Sequence, residues 1–208
     1  ATLVGGGSEG RTFVQGRGTL RVSGERMEMA VGSGGAALMA SAPLDRLLAR
    51  VNPVFGSLHG ADGAIQVEVE GLRVAVGGER GGAGETRGEV RVTFPQLHFD
   101  RTGVLKELLD VAGVAEDAGG TSAAIVAEAS PLRLEVGDGA GISYTNFGLT
   151  FPPPPVRERM VFGGQVDGEG RLELSATVPL APGPGLSAGR TEVAIRGTGE
   201  KPVVVLPK

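Results

Sequence analysis

Several places in this chain bring together residue types that could do chemistry. Gly185-Leu186-Ser187-Ala188-Gly189 fits G-x-S-x-G, the turn that presents a serine nucleophile between a strand and a helix in hydrolases. Here the Pro/Gly-rich "VPLAPGPGLSAGR" at 178–190 leads into it and the strand-like "TEVAI" follows. The helix that would orient the serine is missing, so the motif reads as a loop. Gly5, Gly7 and Gly10 satisfy G-x-G-x-x-G, which cradles a pyrophosphate only where it opens a helix. Strand-like "RTFVQGRGTLRV" follows instead, and the match reads as a by-product of abundant glycine.

His59 and His98 are the only histidines, and neither sits in a cluster with metal-ligand spacing. Both read as structural or solvated. Glu68 and Glu70 share one face of a strand, as an acid/base pair could. Val67 and Val69 alternate with them, so the carboxylates read as the solvated face of that strand. Asp167 and Glu169 belong to a turn. No catalytic residue, metal site or cofactor is expected, and the protein reads as a non-enzyme.

The elements that would position any site are bounded by composition. The 208 residues fit one β-rich domain spanning 1–208, long enough for a real core. Glycine appears 37 times, more than twice its roughly 7% average share. Aromatics are 4%, which leaves a core of Val, Leu, Ile, Ala and a few Phe. A net charge of −4 with scattered arginines excludes the basic stripe of a nucleic-acid binder. The lack of cysteine excludes disulfides and thiolate metal sites. No apolar run is long enough for a membrane-spanning helix. The opening "ATLVGGGSEG" shows no initiator Met or signal peptide, and the domain is expected to be a piece of a longer protein.

Period-two alternation dominates the chain. Leu20 and Val22, then Met27, Met29 and Val31, alternate with polar residues. Ile65, Val67 and Val69 are followed, after a shift of phase, by Leu72, Val74 and Val76. Val90, Val92 and Phe94 form a third set, Leu132, Leu134 and Val136 a fourth, and Leu172, Leu174, Ala176, Val178 and Leu180 a fifth. One apolar face against one charged face predicts antiparallel strands with a wet side, not a parallel sheet buried on both faces. Asp62-Gly63, Asp138-Gly139 and Asp167-Gly168 are read as tight hairpin connections.

Two segments carry helical spacing instead. Leu44, Leu47, Leu48 and Val51 fall on one helical face, with Pro43 in the first turn and Pro53 ending the helix at Asn52. Leu105, Leu108, Leu109 and Ala112 repeat the pattern, with Thr102 as N-cap and Gly113 as C-cap. The tetraproline in "FPPPPV" is read as a connector and 77–88 as a hairpin tip. The fold class expected is mainly β, a curved antiparallel meander with two short helices. Its apolar face is either sealed by those helices or left open as a groove.

Four stretches in sequence order carry a family resemblance: "LLARVNPVFGSLHGADGAIQVEVEGLRV", "SPLRLEVGDGAGISYTNFGLTF", "FGGQVDGEGRLELSATVPL" and "VAIRGTGEKPVVVLP". They resemble the C-terminal region of AsmA-like and TamB-like proteins of the bacterial cell envelope. The glycine-rich insert at 77–88 and the tetraproline depart from that pattern. The resemblance implies a taco-shaped periplasmic groove that binds lipid acyl chains for phospholipid transport or outer-membrane biogenesis. It also implies an inner-membrane anchor in upstream sequence, and envelope proteins or neighbouring domains as partners. The lipid-contacting residues expected are Ile65, Val67, Val69, Leu72, Val74, Val76, Val90, Val92, Phe94, Leu132, Leu134, Val136, Leu172, Leu174 and Val178. The alternative reading is a structural or adhesive module of a cell-surface protein with a sealed core.

Overall fold

A computed structural model describes residues 2–6, 13–23, 26–76, 86–114, 124–137, 141–151, 159–180 and 189–206. Among the described residues, fourteen strands and two α-helices make up a mainly β fold, in which every strand pairing is antiparallel. The main path of the open, curved sheet runs β1-β2-β3-β5-β6-β9-β10-β11-β12-β13-β14. Its strands are β1 (Thr2–Gly6), β2 (Phe13–Ser23), β3 (Arg26–Met39), β5 (Ala64–Val76), β6 (Thr86–Thr93), β9 (Leu132–Val136), β10 (Ile142–Thr150), β11 (Met160–Val166), β12 (Arg171–Leu180), β13 (Gly189–Thr198) and β14 (Lys201–Val205).

The meander is interrupted twice, and each excursion carries one helix. Between β3 and β5 the chain makes α1 (Ala42–Val51), a 3-10 helix (Pro53–Ser57) and β4 (Leu58–Ala61). Between β6 and β9 it makes β7 (Leu97–Phe99), α2 (Gly103–Val111) and β8 (Ile125–Ala129). Strand β7 pairs with both β4 and β8, and β8 joins this branch to β10. Asp62-Gly63 is therefore not a hairpin: it passes from the side branch back to the main sheet, because β4 pairs with β7 while β5 pairs with β3 and β6. Asp167-Gly168 does turn a hairpin, between β11 and β12. Asp167 Oδ1 accepts from the backbone N–H of Glu169 and of Arg171, each at 2.9 Å, and Gly170 takes φ 80. Asp138-Gly139 lies outside the described residues.

Both helices form where their spacing predicts. Asn52 is extended, as a residue before proline must be, and its side chain accepts from Val54 N–H to start the 3-10 helix. Leu47 departs from the expected face and is 60% exposed. At the end of α2, Val114 N–H bonds Leu109 O and Gly113 N–H bonds Asp110 O, with Gly113 at φ 74. This doubly bonded left-handed cap is the geometry that favours glycine there. Thr102 holds the N-cap position, but its hydroxyl donates to Ser57 Oγ instead of capping. Ser57 Oγ in turn donates to Thr102 O at 2.7 Å, which ties α2 to the 3-10 helix.

Two loops are shorter than the sequence implies. β12 runs through Leu180 and β13 begins at Gly189, so Val178 to Leu180 and Gly189-Arg190 are paired strand, not loop. Residues 86–88, read as hairpin tip, open β6. The tetraproline falls outside the described residues.

The core lies between the sheet and the helical excursions. Phe55 of the 3-10 helix stacks on Phe94 with ring centroids 5.3 Å apart, and also meets Phe99 and Phe147. Phe162 extends the cluster from Phe147 at 6.0 Å. Leu48, Val51, Val54, Leu105, Leu108 and Leu109 complete the lid and are buried. Aromatic contacts of this kind add roughly 0.5–1.5 kcal/mol each beyond burial. Six of the seven phenylalanines, Phe151 among them, thus belong to one buried core, so a scarce residue type is concentrated where the fold closes.

Candidate functional site

The candidate site is the apolar face of the sheet, and strand register builds it. Antiparallel partners point to the same side. Leu132, Val92, Val67 and Ala36 form one row across β9, β6, β5 and β3. Leu134, Val90, Val69 and Gly34 form the next. Beyond them lie Leu72 opposite Val31, Val74 opposite Met29 and Val76 opposite Met27.

A bulge preserves this face where the sequence changes phase. Gly71 and Leu72 together oppose Gly88 on β6, and Gly71 takes φ 60. An extra residue in the left-handed region shifts the alternation by one. That shift returns Leu72 and Val74 to the side of Ile65, Val67 and Val69. Gly88 must lack a side chain, because a Cβ there would lie 2.7 Å from Leu72 Cα.

The face is sealed at one end and uncovered at the other. Ile65, Val92, Phe94, Leu132, Leu134, Leu172, Leu174 and Val178 are buried beneath the helices or against neighbouring strands, none more than 8% exposed. They are core, and no ligand reaches them in this arrangement. Val67 and Val90 are partly buried at the margin of that core. Val69, Leu72, Val74 and Val136 are half-buried and stand outside that core among the described residues. Val76 is in register on the same strand, and its side chain lies outside the described residues.

The structure adds members that the sequence reading omitted from the site. Met29 is 42% exposed, and Val31, Ala36 and Leu38 of β3 are half-buried beside β5. The alternation of Met27, Met29 and Val31 was visible, but the "GSGGAA" that follows hides the continuation of one 14-residue strand. Where β2, β3 and β5 run together, a concavity of about 730 Å³ is lined by the polar Arg17, Ser33, Gln66, Glu68 and Glu70 as well as by small residues of β2 and β3.

Chemically the uncovered half offers burial without directed hydrogen bonds. Covering it would gain roughly 25 cal/mol per Å² of apolar surface removed from water. That is the interaction an aliphatic chain can return.

No protein-family model, curated protein or solved structure matches the chain.

The other candidates are accounted for by local structure. Ser187 lies outside the described residues, and Gly189 opens strand β13 where a nucleophile turn requires a helix. Gly5 sits on β1 and strand β2 follows, while Gly7 and Gly10 lie outside the described residues. His98 Nε2 is 2.7 Å from Asp62 Oδ1 and His59 Nδ1 is 3.7 Å from Asp100 Oδ2. Among the described residues no three His, Cys, Asp or Glu side chains gather as metal ligands. Glu68 and Glu70 lie on the polar face, opposite Arg91 and Glu89 of β6. Asp167 and Glu169 both pair with Arg171 at the turn, and the Arg171 guanidinium holds the Asp167 carboxyl below the usual carboxylate range. Tyr144 is buried, with its hydroxyl directed to Val51 O at 3.4 Å, and burial pushes the phenol well up. Among the described residues no helix is long and apolar enough to cross a membrane.

Proposed function

We propose that this chain is a domain of an AsmA-like or TamB-like envelope protein, acting without catalysis. In this reading it binds or channels lipid acyl chains along the uncovered half of its apolar face, in phospholipid transport or outer-membrane biogenesis. It works in the periplasm, held to the inner membrane through upstream sequence, beside envelope proteins or neighbouring domains of its own chain.

One observation carries the reading. Met29, Val31, Val69, Leu72 and Val74 form an in-register apolar strip that stays half-exposed beside a fully sealed core. Large exposed apolar patches are rare on soluble proteins and mark sites of interaction. A strip lacking directed polar groups suits a flexible aliphatic chain better than a polar substrate.

The test is native mass spectrometry of the protein after incubation with phospholipid vesicles. The reading expects one or a few lipid adducts, lost on Leu72→Glu. A protein that stays lipid-free under these conditions counts against it.

A second reading, a structural or adhesive module, draws support from the eight candidate residues that lie in the sealed core. It expects no lipid adduct and no effect of Leu72→Glu beyond a small change in stability.

A further inference from the structure

We infer that the polar face of the sheet carries a receptor site for a small zwitterion, with its carboxylate on Arg91 and Arg133 and its ammonium on Glu89 and Glu135. The site is a concavity of about 810 Å³ on the side opposite the apolar strip. That volume is in the range of small-molecule sites.

A break in the sheet creates the concavity. β10 pairs with β9 through Ile142 and Ser143, and with β8 through Leu149 and Thr150. Between these points β10 bulges, with Asn146 at φ 58. Arg159 spans the break, donating to Ser130 Oγ and to Asn146 O, each at 2.7 Å. Gly148 leaves the space for it, since a Cβ there would overlap the Arg159 guanidinium.

Register then sets the charges. Arg91 stands directly opposite Arg133, and Glu89 directly opposite Glu135. Like charges in direct cross-strand register are unfavourable. A face serving solubility alone would gain from pairing Arg with Glu. None of the four side chains makes a hydrogen bond or ion pair among the described residues. Glu173, which also lines the concavity, is engaged by Gln165 Nε2 at 2.9 Å. On β5, Glu70 continues the acidic row, and Glu68 flanks Arg91 without an ion pair.

The two like-charged rows lie two residues apart along the strands, roughly 7 Å. A ligand whose acid and base are separated by about that span relieves both repulsions at once. Two guanidiniums suit a carboxylate because each can present a pair of N–H donors to it.

The test is calorimetric titration of the chain with ε-aminocaproate, and with caproate and hexylamine as its two halves, at low salt. The zwitterion is expected to bind saturably and about tenfold tighter than either half. Arg91→Gln with Arg133→Gln should weaken both the zwitterion and caproate. Glu89→Gln with Glu135→Gln should weaken the zwitterion yet strengthen caproate, an opposite response that misfolding does not produce. Circular dichroism checks that both variants fold. Absence of saturable binding to the wild type overturns the inference. So does equal affinity for zwitterion and caproate, or a glutamate double variant that leaves caproate binding unchanged. None of these outcomes bears on the apolar strip, which lies on the other face.

Discussion

Ile65 and Leu72 lie on the same face of β5, yet Ile65 is fully buried while Leu72 stays half-exposed. Burial falls away along the strand between them, and the bulge at Gly71 keeps both on one side. Substitutions at the two positions should therefore part company. Ile65→Ala should cost about 2–4 kcal/mol, because it empties a filled core site. Leu72→Ala should cost under about 1 kcal/mol, because water already reaches it. Urea unfolding of both variants reads the difference.

The aromatic cluster should behave as the closing point of the lid. Phe147 touches Phe55, Phe94 and Phe162 and is fully buried. Phe147→Ala is expected to lower stability by about 3–5 kcal/mol, whereas Phe147→Leu should cost clearly less. Thermal melts monitored by circular dichroism test the ranking.

Gly164 should tolerate no side chain. It sits at φ 136 in β11, and a Cβ would lie 2.2 Å from Glu173 O on β12. Gly164→Ala combines a disfavoured backbone with a clash against another strand's backbone, and is expected to cost about 2–3 kcal/mol. Gly170→Ala, in open space at φ 80, should cost less. Denaturant midpoints for the two variants provide the comparison.

Acid should act in opposite senses at two aspartates. Hydrogen bonds from Arg171 hold Asp167 below its ordinary value of 3.8, so its contribution is present above that value and fades as pH falls through the lowered one. Burial raises Asp45 above the same reference, so its charged form opposes folding at neutral pH and acidification relieves it. Asp45→Asn should raise the melting temperature at pH 7. Asp167→Asn should lower it there and flatten the loss of stability in acid. Melting curves from pH 7 down to pH 3 follow both.

Strand identity and face were legible because alternation survives in residues such as Leu172, Leu174 and Val178, whose strand is regular. Both helices were legible from their apolar spacing. The side branch was not, because Asp62-Gly63 looks like any hairpin turn and only the long-range pairing of β4 with β7 gives it another role. Nor could alternation tell Ile65 from Leu72. Which of them is covered depends on where the lid of Leu48, Phe55 and Leu105 comes to rest, and that is a tertiary property. The polar concavity was equally hidden. Arg91 and Arg133 are far apart in the chain, and they meet only because β7, α2 and β8 are looped out between β6 and β9.

Contact between lipid and the half-exposed part of the apolar face can be read by photo-crosslinking, with benzoylphenylalanine placed at Leu72 on the apolar side and at Glu70 on the polar side of the same strand. After irradiation with phospholipid vesicles, a lipid adduct is expected at position 72 and none at position 70. No adduct at 72, or equal adducts at both, means that lipid does not enter along this face.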